Sequence, residues 1–152
     1  MRKSEREIED PEEIEDILKR AEIIHIAMVD DGRPYVVPMN FGFSAGSIFV
    51  HGALEGRKID VLKKNPLVSF ETYVDYQFAP GTTACKSGSK YRSVIGCGTA
   101  SIVTDRAEKI RALDVMMSRF APGPYTYAED ALARTNVIKI TITEMTGKKL
   151  GY

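Results

Sequence analysis

Residues Ser47–Asn65 read SIFVHGALEGRKIDVLKKN, a strand that runs directly into a helix. Ser47-Ile48-Phe49-Val50 is rich in β-formers, and after His51-Gly52-Ala53 a helical pattern begins near Glu55. Ile59, Val61 and Leu62 mark its buried side, and Asn65-Pro66 ends it. Arg57 and Lys58 therefore fall in the first turn, where the helix macrodipole is already positive. An exposed cation there costs about 0.3–1 kcal/mol, because the free N–H groups and the dipole favour anions. With Gly56 before them, the pair makes physical sense if an anion is held between the side chains and the backbone donors. A phosphate fits that description, and a solvated basic turn fits the segment equally well.

Outward toward the N-terminus, Ser44-Ala45-Gly46 and Asp30-Asp31-Gly32 are tight turns with Gly available for positive φ. They delimit strands over Tyr35–Phe43 (YVVPMNFGF) and Glu22–Val29 (EIIHIAMV). Pro38 interrupts the first of these, so that strand is edge-like, bulged, or exposes its backbone to something other than a neighbouring strand. Asp10-Pro11-Glu12-Glu13 opens a helix with an Asp cap, Pro at the first position and early acids. Ile14, Ile17, Leu18 and Ala21 form its apolar stripe. Residues 1–9 read as a flexible or arm-like N-terminus to a single domain spanning 1–152.

Outward toward the C-terminus, Leu67–Phe78 is a fourth strand and Ala79–Lys90 a loop rich in small residues. Tyr91–Thr104 (YRSVIGCGTASIVT) is a long fifth strand whose Gly96 and Gly98 predict a bend or a close backbone approach. Asp105 caps a helix to about Phe120, with Ile110, Leu113, Met116 and Met117 on its inner face. A short helix near Glu129–Arg134 precedes the last strand, Val137–Glu144 (VIKITITE). Short links imply antiparallel pairing rather than βαβ alternation. Six strands with kinked glycines and few helices predict a mainly β protein, a small closed or partly closed antiparallel barrel with peripheral helices.

Lys+Arg and Asp+Glu both number 21, so no global field draws the chain to nucleic acid or to an anionic membrane, and any anion site is local. No apolar run approaches membrane-spanning length, and the charged start lacks a secretory pattern. Cys85 and Cys97 are too few for a disulfide framework and read as buried or partly buried free thiols in a reducing cytoplasm. There is no GxGxxG, GxxxxGK[ST] or GxSxG, so the common dinucleotide, P-loop and hydrolase routes are absent. The spacing of His25, His51 and the cysteines matches no recognised zinc pattern, so no metal site is expected. His25, inside an apolar strand, reads as a core or interface histidine. His51, ending a strand before the basic turn, reads as a pocket residue that orients a ligand or donates a proton, with capping of the strand end as the alternative. Lys90-Tyr91-Arg92-Ser93-Val94 places Arg92 and Val94 on one strand face and Tyr91 and Ser93 on the other.

Residues 34–60 (PYVVPMNFGFSAGSIFVHGALEGRKID) with 90–104 (KYRSVIGCGTASIVT) resemble the FMN-binding split-barrel family, especially its nitroimidazole-reductase-like branch. The marks are His51-Gly52-Ala53, the Glu55-Gly56-Arg57-Lys58 turn and Tyr91-Arg92-Ser93-Val94-Ile95-Gly96. The related pyridoxamine phosphate oxidases share the Arg-Lys turn, but the ending Thr146–Tyr152 does not supply their basic substrate-phosphate pattern. The resemblance implies a six-stranded split barrel and a homodimer with one FMN in each of two clefts between subunits. It implies that Gly56, Arg57 and Lys58 hold the flavin phosphate, and that Pro38-Met39-Asn40-Phe41 runs along the isoalloxazine. His51 and Ala53 would border the ring, with His51 a catalytic candidate facing the substrate. Arg92, Ser93 and Val94 would approach from the fifth strand. The implied activity is reduction of a small acceptor such as a nitro-substituted ring, with NAD(P)H as reductant. A pyridoxamine phosphate oxidase-like enzyme, or a non-catalytic flavin, haem or deazaflavin module on the same barrel, are the alternatives.

Overall fold

The Asp10-Pro11 signal starts a helix as its chemistry requires: the Asp10 carboxylate accepts from the Glu12 N–H at 2.9 Å, and Pro11 needs no acceptor. The computed structural model describes residues 3–152. In chain order the strands are β1 (Glu7–Ile8), β2 (Ile23–Asp30), β3 (Arg33–Asn40), β4 (Gly42–Ser44), β5 (Ser47–Gly52), β6 (Leu67–Ala79), β7 (Gly88–Ile102) and β8 (Asn136–Leu150). The helices are α1 (Pro11–Arg20), α2 (Arg57–Lys64), α3 (Arg106–Met117) and α4 (Glu129–Ala133).

All pairings are antiparallel, and the hydrogen-bonded path runs β3-β2-β6-β7-β8-β5-β4, with β1 added along β8. The path does not close between its ends, which makes it a split barrel rather than a sealed one. One face encloses the core, where Ile24, Ile26, Phe41, Ile48, Val50, Phe70, Val94, Ile138 and Ile140 meet Ile17 and Leu18 of α1. Ile59, Val61 and Leu62 anchor α2 to the same core.

Several expected boundaries shift. The second strand is two, β3 and β4, because Phe41 leaves the ladder to bury its ring. The last strand runs on to Leu150: its second half lacks alternation, but pairs with β7 on one side and β1 on the other. The expected loop is shorter, holding a 3-10 turn at Ala84–Lys86 before β7 begins at Gly88. Of the expected arm, residues 1–2 lie outside the described residues; Glu7 and Ile8 pair with Lys148 and Gly147, and Ile8 is buried. On α3, Ala112 and Met116 are buried, whereas Met117 is exposed, because the helix meets the sheet on a narrower face than its apolar residues suggest. Both cysteines are free, but Cys85 is exposed in the 3-10 turn rather than buried. His25 is no core residue: it points outward, with Nδ1 3.2 Å from Glu71 Oε2 on the neighbouring strand.

The two strand glycines do what their positions predict. A Cβ at Gly96 would lie 2.6 Å from the Glu144 carbonyl oxygen, and one at Gly98 2.6 Å from that of Thr141. Between them the β7–β8 register shifts, so the sheet bends where the backbones approach closest.

Candidate functional site

The site is assembled where β5 passes into α2. Val50 is buried, His51 and Ala53 are exposed, and Gly56 caps the helix at φ +123 with no side-chain hydrogen bond. That conformation belongs to glycine, although the space around it is open: the backbone, not crowding, demands the residue. The first intrahelical bond runs from Asp60 N–H to the Gly56 carbonyl, so the N–H groups ahead of it have no helical acceptor. The Asn136 side-chain amide donates to the Ala53 and Leu54 carbonyls at 3.2 and 3.0 Å, fixing the turn from the start of β8. Nothing in the local sequence pattern singles out Asn136, because its partners are more than 80 positions away.

The two cations differ in their surroundings. The Arg57 guanidinium donates to Asp30 at 2.8 Å and lies 4.3 Å from the centre of the Tyr35 ring, so its charge is already answered. Lys58 turns inward. Its Nζ is 3.3 Å from Met39 Sδ, and the space a Cβ on Gly52 would take is 3.1 Å from it. Among the described residues no carboxylate forms an ion pair with Lys58. Burial alone pulls its pKa below the ordinary lysine value, since desolvation disfavours the ammonium and no neighbour offsets it. The electrostatic tension that the sequence suggests for both residues thus resides in Lys58. A doubly charged oxyanion beside Nζ and the free N–H groups would relieve it.

Alongside lies β3, with Tyr35, Val37 and Met39 turned toward the core and Val36, Pro38 and Asn40 outward. Phe41 is fully buried between β3 and β4, main chain included, so Pro38 and Asn40 are the exposed residues of this segment. The outward residues of β3 belong to a broad sheet face. Pairing aligns Val36, Ala27, Ser69 and Cys97 in one row, Pro38, His25, Glu71 and Ile95 in the next, and Asn40 with Ile23 in a third. Val36, Leu67, Tyr73 and Ile95 on this face are each more than half exposed. These exposed apolar side chains, interspersed with His25, Ser69, Glu71 and Asn40, suit a surface that meets a partner. Beside it, Glu71, Tyr73, Tyr76, Tyr91 and Ser93 line a cavity of about 340 Å³.

The β7 residues have separate environments. Val94 is fully buried in the core. Ser93 faces outward and donates weakly to the Lys148 carbonyl at 3.5 Å. Arg92 is committed to a second cluster: it donates to Asp75 at 2.8 Å and Glu13 at 3.3 Å, under the Tyr152 ring. Arg20 grips the other side of Asp75, and Lys149 binds Glu13 at 2.7 Å. The structure therefore brings Met39, Gly52, Gly56, Arg57 and Lys58 together, and leaves the Arg92 guanidinium engaged elsewhere.

A family model described as pyridoxamine 5'-phosphate oxidase matches residues 10–149. The chain belongs to this family. Among solved structures, a protein of Bacteroides thetaiotaomicron provisionally described as a 5-nitroimidazole antibiotic resistance protein is 30% identical, with a TM-score of 0.85 over 94% of this chain and 86% of its own. The flavocytochrome Anf3 of Azotobacter vinelandii shares 21% identity and a TM-score of 0.87, covering 100% of this chain and 72% of its own. The FAD and heme binding protein of Mycobacterium smegmatis shares 22% and 0.87, over 97% and 74%. These two likenesses speak to the fold alone. No curated protein matches the sequence. Among the described residues no helix is long and apolar enough to cross a membrane.

Proposed function

We propose that this chain is an FMN-dependent oxidoreductase that passes electrons to small acceptors such as nitro-substituted rings. The observation that carries the reading is Lys58: a partly desolvated ammonium 3.3 Å from Met39 Sδ, with no carboxylate partner among the described residues, beside the N-terminus of α2. The residues present fit a flavin phosphate there, with Lys58 and the free N–H groups binding it and Arg57 turning from Asp30 to share the charge. Gly52 fits too, since any side chain at that position would meet the lysine. Pro38 and Asn40 would offer backbone groups to the ring, with Met39 between them turned toward Lys58. His51 and Ala53 would border it and Ser93 would approach from β7, whereas Phe41 and Val94 are buried and Arg92 is held by Asp75 and Glu13. FMN supplies hydride and single-electron chemistry when bound; the chain binds, orients and shields it. NAD(P)H is the reductant class this reading needs.

The same proposal includes a homodimer, with the apolar face of β3, β2, β6 and β7 as its contact and a flavin at each edge. The relative provisionally described as a nitroimidazole resistance protein favours the nitro-acceptor branch. The pyridoxamine phosphate reading has less support, because Thr146–Leu150 is strand rather than a free basic tail and Lys149 is tied to Glu13. A haem module keeps one favourable feature, the exposed His51. The visible spectrum of purified protein separates flavin, deazaflavin and haem.

The binding test ranks two variants. Lys58→Met should weaken FMN binding by about 1.5–3 kcal/mol, roughly 10- to 150-fold, the worth of a charge-assisted hydrogen bond. Arg57→Ala should cost less, about 0.5–1 kcal/mol, because its guanidinium leaves an existing partner to bind. Calorimetry giving unchanged affinity in both would remove the phosphate assignment.

A further inference from the structure

The corner where β3 gives way to β4 is gripped from behind by the end of α3. Arg119, two residues beyond the helix, donates Nη1 to the Leu18 carbonyl at 3.1 Å and Nη2 to the Ala21 carbonyl. Both oxygens belong to the end of α1, where carbonyls lack helical donors and the dipole favours a cation. The same guanidinium lies 4.8 Å from the centre of the buried Phe41 ring. Its Nε is buried without a partner, a cost that a purely decorative surface arginine would not bear. Burial pulls the Arg119 pKa down, and the Glu22 carboxylate opposes this. Two further contacts register the corner to the same point. Asn40 Nδ2 donates to the Glu22 carbonyl at 3.3 Å, and a Cβ at Gly42 would meet Val115 Cγ1 at 2.8 Å and the Met116 nitrogen at 2.9 Å.

We infer that Arg119 is a positioning residue for the flavin ring: by clamping the buried Phe41 side chain it fixes the exposed Asn40 main chain next to it, which would line the ring, before the ring arrives. This rests on the FMN reading above. Guanidinium, Phe41 ring and α1 carbonyls form one stack, so the corner cannot shift without breaking charge-assisted bonds at its back. Arg119 is 78 positions from Phe41 in sequence and would act on the ring indirectly, through the main chain next to Phe41.

The test compares Arg119→Gln, Arg119→Lys and Ile8→Ala, the last a core truncation at the β1–β8 edge. FMN binding by wild type is measured first; if wild type binds none, the cofactor reading fails and this inference falls with it for that separate reason. Given wild-type binding, Arg119→Gln should raise the FMN Kd roughly 3- to 30-fold, a typical range for coupling through packed neighbours. It should also shift the bound flavin's visible absorption and reduction potential, and Arg119→Lys should recover part of both. Ile8→Ala should lower the melting temperature and leave spectrum and potential unchanged. A folded Arg119→Gln protein with wild-type Kd, spectrum and potential would overturn the inference. So would equal spectral and potential shifts in Ile8→Ala, since they would reflect lost stability alone.

Discussion

Replacing Gly96 by Ala tests the central packing of the sheet. The added methyl would meet the Glu144 carbonyl oxygen at 2.6 Å and Phe70 Cε1 at 2.8 Å, both inside contact range. Phe70 is almost wholly buried, so its ring has little room to retreat. Glu144 is main chain in β8 beside the register shift, and moving its oxygen strains the ladder. Overpacking of this kind costs about 1–3 kcal/mol, and disturbing one ladder hydrogen bond adds about 1 kcal/mol. Against this, Gly→Ala restricts the unfolded chain and returns about 0.4–1 kcal/mol. The net is about 1–3 kcal/mol of destabilisation, or a melting temperature lower by roughly 3–10 °C for a chain of this size. Urea unfolding at fixed protein and FMN concentration measures it, because bound ligand moves the midpoint by mass action. Adding Phe70→Leu should recover only the ring's share of the loss, leaving the carbonyl contact. A Gly96→Ala midpoint equal to wild type would refute the close-approach argument outright.

Two shorter predictions follow from other parts of the molecule. The Arg20 and Arg92 hydrogen bonds hold the Asp75 carboxyl below its ordinary value of 3.8 against the opposing effect of burial. A depressed folded pKa gives stability that is complete above the unfolded value and disappears as pH falls through the folded one. The stability gap between wild type and Asp75→Asn should therefore be widest near neutral pH and narrow in acid below about pH 4; a gap independent of pH in urea titrations would contradict the ion-pair account. On the outer face, the proposed homodimer predicts that wild type sediments as a dimer and Val36→Asp as a monomer, because the proposed contact would bury an unpaired carboxylate. A dimer of unchanged affinity would place the contact elsewhere.

The legible parts were those whose signal is local. Asp10-Pro11 caps α1, Gly32 and Gly46 adopt positive φ in their turns, and Gly96 and Gly98 lie where backbones meet. The Gly56-Arg57-Lys58 turn was equally readable, since helix-end electrostatics depends on neighbours in sequence. What could not be read was the partner of each charge. Arg57 finds Asp30 across 27 positions and Arg92 finds Glu13 across 79, so one expected phosphate ligand is already paired and an expected cofactor neighbour is drawn into a separate network. The second half of β8 was missed because its strand character comes from β7 and β1 on either side, not from alternation.

The chain's sequence on its own determined the antiparallel, mainly β architecture and the glycine-led, basic first turn of α2, because hydrophobic period, turn chemistry and helix caps act over a few residues. Tertiary structure alone decided which cation is left uncompensated, which strand face stays apolar and exposed, and what stands behind the Phe41 corner. Those outcomes depend on distance in space between residues far apart in the chain, and a charge or an apolar surface acquires its meaning from whatever folding brings against it.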